Sequence, residues 1–594
     1  MNCKKINLNL FKRMIGTNIN IKNYYLKESK KIYWHKEPKI IFKKNENNHY
    51  SWFPDGKINL YENCITRNLI KKKNKTAIIT INQNREFKKY TFEEIDNKVN
   101  LICKYIENLT IRKKLRIMIH ASASIESALL MLASAKLGIH FSVIFQELEA
   151  LGIKNRIKLF KPNIFFSRLS QQNFFNKMGF KKYNNIKFIH KENLEKIINQ
   201  KNTFIKIKTK IVDGPKSLFT LFTSGSTGAP KGITHSTGGY LLYSKLTCQN
   251  QFGMNENSIV LTASDAGWIN GHTYSLFGPL SLGSTTVLIE KPISLIDIKL
   301  FKKILNLKIS IVYLPVTLIR LIKSVNNKFK INKKYIKALG SMGEPLAPSV
   351  AKWFSGKFLN KNRAIVNTYF QTETGGIISS PRYNQNIKET PHGSVGEPFS
   401  KFIKINDLDS KKVKEIKVLS PWPGMMKDVI NGKAEWNKYW DNSGNFKLFD
   451  LATKKKKNIF IHGRNDDVVN IRGHRIGSEE IESTILKIKK VAECCVVTLC
   501  DNLEGSKIYL FVVSDINLDR KIEDIIISNF GTFAIPKKIY YVEQIPKTRS
   551  GKILRRLLRN ILNNPNLKDY GDTSTILNLS SLKNIQKMLK SKEQ

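Results

Sequence analysis

From Tyr90 to about Leu280 helical stretches alternate with short apolar strands, and this rhythm limits the fold more than any other feature of the chain. Phe92 to Ile106 carries apolar residues at helical spacing, whereas Leu115 to Ile119 and Ile164 to Phe166 are short continuous apolar runs. The longest apolar stretch, Ile125 to Phe145, is broken by Glu126, Lys136 and His140, so it reads as a buried helix followed by a strand and not as a membrane span. The alternation returns from Ile296 to Ile365, with strands expected near Ile309 to Val312 and Ile365 to Asn367. Strands separated by helices predict α/β layering around a largely parallel sheet.

A chain of 594 residues exceeds one ordinary domain. Its character changes across Trp422 to Asp467, which reads as turn-rich and polar. A compact unit follows, with helices expected at Glu479 to Ile488 and Lys521 to Phe530 and strands at Val491 to Leu499 and Ile508 to Val513. The expected organisation is an N-terminal arm (1–50, without clear period), a large α/β domain (51–465), a small mobile α+β lid (466–575) hinged near Asp466, and a C-terminal tail (576–594). Ile553, Leu554, Leu557, Leu558, Ile561 and Leu562 share one helical face beside Arg555, Arg556 and Arg559, and that face is expected to pack on its own domain.

The formal net charge is +53. Lysines are spread along the whole chain and not gathered into a patch or tail, so no specific nucleic-acid partner is expected, although anionic ligands are favoured. Seven cysteines, odd in number and irregular in spacing, form no zinc pattern and suit a reducing compartment. The expected address is cytoplasmic. The basic first twenty residues, with Lys4, Lys5, Lys12 and Arg13 and no acid, leave the mitochondrial matrix as the alternative.

The strongest local signal is Leu221-Phe222-Thr223-Ser224-Gly225-Ser226-Thr227-Gly228-Ala229-Pro230-Lys231-Gly232. Glycines let backbone N–H groups approach oxygens, hydroxyls add donors, and Lys231 adds charge, which together suit a polyphosphate. The loop lacks the Gly-Lys-Ser/Thr ending of a Walker A motif. The whole string resembles the signature of the adenylate-forming acyl-CoA synthetases, luciferases and peptide-synthetase adenylation domains.

Further segments resemble the same family in its order. Gly340-Ser341-Met342-Gly343-Glu344-Pro345 looks like the segment that touches adenine. Asn367-Thr368-Tyr369-Phe370-Gln371-Thr372-Glu373 looks like the acyl- and magnesium-binding segment, and a carboxylate such as Glu373 suits that hard cation. Asp450 stands where the family has a ribose-binding acid, although the glycine usual before it is Phe449 here. By the same resemblance Arg464, in His462-Gly463-Arg464, and Arg475, in Gly473-His474-Arg475, meet ribose or phosphate, a task suited to a planar, permanently charged fork. Lys552, in Pro546-Lys547-Thr548-Arg549-Ser550-Gly551-Lys552, matches the catalytic lysine that stabilises charge during adenylation.

The resemblance runs from Trp52-Phe53-Pro54-Asp55-Gly56 to Gly571-Asp572-Thr573-Ser574-Thr575 and is to the acetyl- and propionyl-CoA synthetase branch. It implies ATP, coenzyme A and a small carboxylic acid as substrates, magnesium as cofactor, and an acyl pocket from Ile269, Asn270, Met342 and Phe370. Arg156 matches one CoA-contacting arginine. A second such arginine aligns with Ile527, and a histidine proposed to hold metal aligns with Ile488. The expected reaction forms acyl-AMP and pyrophosphate, then transfers the acyl group to CoA. Acetate is favoured and propionate is close behind.

Overall fold

The alternation is realised as two seven-stranded sheets in a computed structural model. It describes residues 20–109, 114–146, 148, 150–170, 173–174, 185–200, 205–224, 230–325, 329–359, 363–430, 432–464, 468–471, 474–501, 505–530, 532–548, 551–570 and 576–591. In the first sheet, Ser217–Ser224, His140–Ile144, Arg116–His120, Ile164–Ser167 and Lys187–His190 run parallel, in that order. Pro230–Ser236 turns back antiparallel on Ser217–Ser224.

In the second sheet, Val366–Asn367, Ala338–Met342, Ile311–Pro315, Ile259–Thr262, Thr285–Ile289 and Thr76–Ile81 are parallel, and Phe87–Thr91 closes the edge antiparallel. The helix Phe92–Asn108 starts on a capping box in which Thr91 and Glu94 exchange side-chain-to-backbone bonds. Ile125–Lys136 is buried on nearly all sides, Glu126 and Lys136 included, because its apolar residues run around the whole helix, and the strand His140–Ile144 follows it.

Three expectations change. Residues 20–29 form a helix that buries Ile21 and Tyr25 in the main core, where the sequence shows no clear period. The region read as turn-rich holds a long hairpin, Phe446–Lys455 and Asn458–Arg464, completed into a three-stranded sheet by Lys414–Val418. Its turn is a run of lysines, with Lys456 at φ +54°, and that basic face hides the strand alternation. The expected tail carries the helix Leu579–Ser591.

The small C-terminal domain is α+β. Glu493–Asp501 pairs antiparallel with Gly505–Val513, which pairs parallel with Lys538–Tyr541. Cys494 and Val496 face the helices Ser478–Ile485 and Asp519–Phe530. Cys495 and Val497 face Arg555–Asn563 and Leu579–Ser591, so strand alternation sorts one sheet between two helical layers. Leu557, Leu558 and Ile561 are buried there, so the basic amphipathic helix packs on its own domain. Among the described residues no helix is long and apolar enough to cross a membrane, and Cys64, Cys103, Cys248, Cys494 and Cys495 are buried and form no disulfide among those residues.

Candidate active site

The strands Ser217–Ser224 and Pro230–Ser236 flank the glycine- and serine-rich segment in sequence, and their hairpin register sets Thr223 opposite Lys231. Gly225, Ser226, Thr227 and Gly228, and the Ser224 side chain, lie outside the described residues. The Thr223 hydroxyl is buried without a hydrogen-bond partner among the described residues.

Lys231 extends from this hairpin to the second sheet. Its Nζ lies 3.3 Å from Glu373 Oε1 and also bonds the Tyr439 hydroxyl. Tyr439 donates to Glu373 Oε1 at 2.6 Å. Glu373 sits in a short turn, Thr372–Thr374, closed by Gly375 at φ +69°. A Cβ on Gly375 would stand 2.1 Å from the Gly424 carbonyl oxygen, so the turn requires glycine. Burial pushes the Glu373 carboxyl up, but the Lys231 charge and the Tyr439 hydrogen bond outweigh it and hold the carboxyl below its ordinary range. A carboxylate held in its ionised form and 7% exposed fits magnesium, which usually takes one or two protein carboxylates and completes its shell with substrate phosphate and water.

The adjoining residues form a connected polar network. Asn367 Oδ1 accepts from Ser341 at 2.9 Å, and Thr368 donates to the Ser341 carbonyl at 2.8 Å while accepting from Tyr313. The Tyr369 hydroxyl and Gln371 Nε2 both donate to Asp450 Oδ2, at 2.7 and 2.6 Å. The Thr372 carbonyl accepts from His235. Asp450 is thus oriented before any ligand arrives, and it pairs in register with Arg464 across the hairpin. The preceding Phe449 adopts φ +58°, the left-handed conformation that favours the glycine expected there. Gly343 is exposed at φ +89° just past Ala338–Met342, Pro345 is half-buried, and Glu344 pairs with Arg320 at 3.1 Å.

The four acyl-pocket candidates are brought together. Asn270 Nδ2 contacts Met342 Sδ, Phe370 meets Tyr274 edge-on at 5.7 Å, and Phe370 packs against the clusters holding Met342 and Ile269. Lys552 is exposed. Its backbone N–H donates to the Thr548 hydroxyl, and the Gly551 carbonyl before it accepts from Thr317 of the large domain. Arg156 is 1% exposed, donates to the Gly152 carbonyl, and lies 5.8 Å from the Phe222 ring centroid, so a CoA contact there requires the side chain to swing out. The side chains of Arg464 and Arg475, and the hinge candidate Asp466, lie outside the described residues. Sequence reasoning missed Tyr439, Tyr313 and Arg320, because no spacing links them to the motifs they touch.

Comparison with known proteins places this fold and site. The AMP-binding enzyme family matches residues 65–418, its C-terminal domain matches 480–552, and the acetyl-coenzyme A synthetase N-terminus matches 18–64. The chain belongs to the AMP-binding enzyme family. Within it, the chain falls in the acetyl-CoA synthetase branch. It is 30% identical to the acetyl-coenzyme A synthetase of Helicobacter pylori (strain G27) over 95% of this chain and 92% of that protein. It is 32% identical to that of Pasteurella multocida (strain Pm70) over 92% and 90%. In fold it is similar to the acetoacetyl-CoA synthetase from Streptomyces lividans (TM-score 0.78, 16% identity, 94% of this chain and 91% of that one). An anthranilate CoA ligase in complex with anthranoyl-AMP is similarly close (TM-score 0.73, 18% identity, 85% and 97%). The protein is an acyl-CoA synthetase that works through an acyl-adenylate, with ATP and CoA as substrates and magnesium as cofactor.

Proposed function

We propose that the acid is acetate, with propionate a close second, and that the residues gathered above form the site. The observation that carries this reading is that Asn270 contacts Met342 while Phe370 packs against the two clusters that hold Met342 and Ile269, bulk that suits an acyl side chain of one or two carbons. Phe370 has a smaller ring than tryptophan and enlarges the pocket, while Met342 and Ile269 refill it. In the first step a carboxylate oxygen attacks the α-phosphorus of ATP and pyrophosphate leaves. Lys231 and the loop 224–228 receive the phosphates, Asp450 and Arg464 hold the ribose, and Arg475 and Lys552 meet the α-phosphate. Magnesium, when bound, neutralises phosphate charge, and Glu373 is its protein ligand. In the second step the CoA sulfur attacks the acyl carbon, AMP departs and the thiol proton is released. The lid (466–575) turns about Asp466 between the steps, so one site serves both. The large domain spans 51–465, and the enzyme works in the cytoplasm.

The test is a panel of acids from two to six carbons, scored for AMP release that needs both ATP and CoA. Activity with acetate and propionate that falls away by six carbons is expected. A preference for the longest acids would refute the assignment.

A further inference from the structure

The Tyr439 hydroxyl sits between two opposite charges. It donates to Glu373 Oε1 at 2.6 Å and accepts from Lys231 Nζ. The two charged groups are themselves 3.3 Å apart. The phenol is 2% exposed, and its ring stacks on Phe446 at 5.6 Å with 14° between planes and meets Phe449 edge-on at 5.7 Å. A ring clamped this way cannot follow its partners, so they must be placed by it. Each of the three side chains comes from a different part of the fold: Lys231 from the loop hairpin, Glu373 from the turn after the second sheet, and Tyr439 from the segment before the hairpin Phe446–Arg464.

We infer that Tyr439 is a positioning residue of the adenylation half-reaction, fixing Glu373 for the metal–nucleotide and holding Lys231 beside it. This rests on the reading of Glu373 and Lys231 given above. By donating to Oε1 the phenol fixes the rotation of the carboxylate and directs Oε2 away from itself. By accepting from Lys231 it takes up part of the ammonium's hydrogen bonding and holds it 3.3 Å from the carboxylate. A hydrogen bond to a charged group is stronger than a neutral one, and its loss leaves that charge less well held. The second half-reaction involves neither pyrophosphate nor its metal, so it does not use this arrangement.

The test is Tyr439→Phe, which keeps the ring and its stacking and removes only the hydroxyl. Acid-dependent exchange of pyrophosphate into ATP should fall about tenfold, with a raised KM for the magnesium nucleotide. Thioester formation from supplied acetyl-AMP and CoA should stay near the parent rate. Calorimetry gives a readout apart from turnover: the gain in ATP affinity on adding magnesium should shrink in Tyr439→Phe. It should shrink no further when Tyr439→Phe is added to Glu373→Gln. Equal loss in both half-reactions, an unchanged magnesium-linked gain, or additive effects of the two substitutions would each overturn the inference. A parent enzyme that exchanges pyrophosphate with none of the acids would instead defeat the proposed function, and the calorimetric arm would still report on Tyr439.

Discussion

The Thr317 hydroxyl donates to the carbonyl of Gly551 at 3.1 Å and so ties the residue before Lys552 to the large domain. Gly551 is at φ +87°, and a Cβ there would stand 2.2 Å from Thr317 Oγ1. Gly551→Ala therefore combines left-handed strain with a clash and should lift the Lys552 loop off its seat. Adenylation should fall at least about tenfold, a loss within reach of a displaced catalytic group. Thr317→Ala in the same chain should recover part of it by removing the clash. Exchange kinetics on the two variants decide the point, and full activity in Gly551→Ala would show that the contact is incidental.

Lys552→Ala should block adenylation and largely spare thioester formation from supplied acyl-AMP, because only the first step builds charge on the α-phosphate that the lysine is placed to offset. Both half-reactions are measured on purified protein. Equal losses would remove the assigned role.

Phe370 should govern chain length. Phe370→Trp refills the pocket and shifts preference towards acetate, and Phe370→Gly admits butyrate and longer acids. One methylene in an apolar pocket is worth about 1–3 kcal/mol, so ratios of kcat/KM should move by roughly tenfold or more. Unchanged ratios for acetate, propionate and butyrate in both variants would sink the pocket assignment.

Stability should fall with mild acid. Burial depresses His140 and His272 to about 3 and His235 and His462 to about 4. The unfolded histidine titrates near ~6.5, so below that pH the unfolded chain binds protons that the folded chain refuses. Stability is thus full above ~pH 6.5 and declines as pH drops towards the folded values, by up to about 1.4 kcal/mol per pH unit for each such histidine. Urea midpoints between pH 7 and 5 measure this. His462→Asn should flatten the slope, because an asparagine can take over the hydrogen bond to Thr453 Oγ1 and carries no proton to gain. An identical slope in the variant would contradict the account.

The parallel strands Arg116–His120, Ile164–Ser167 and Ile311–Pro315 were legible because each holds a short continuous apolar run, the pattern that burial on both faces demands. The string Leu221 to Gly232 was legible as a family signature only as a whole, since a loop of glycine, serine and threonine alone is usually just a loop, and the family match over 65–418 bears that resemblance out. The hairpin Phe446–Arg464 was not, since its outward residues are largely basic or polar and Phe449 takes a conformation that its side chain does not advertise. Tyr439 was invisible for a different reason. Its partners Lys231 and Glu373 lie far from it in sequence, and only the packing of two sheets against the hairpin segment brings them within a hydrogen bond. Motif matching found Arg156 but gave no sign that its guanidinium is buried over Phe222.

The helix Leu579–Ser591 shares with Arg555–Asn563 the cover of one face of the small sheet, adding Leu582, Ile585 and Leu589 to that cluster. A ribosome delivers this helix after every strand it must cover. The sheet Glu493–Tyr541 therefore waits with Cys495, Val497 and Phe511 uncovered while the two large sheets, made earlier, are already able to close. The nascent chain passes through a stage with a finished nucleotide-binding half and a sticky, half-built lid, and that stage is where chaperones or neighbouring chains have something to grip.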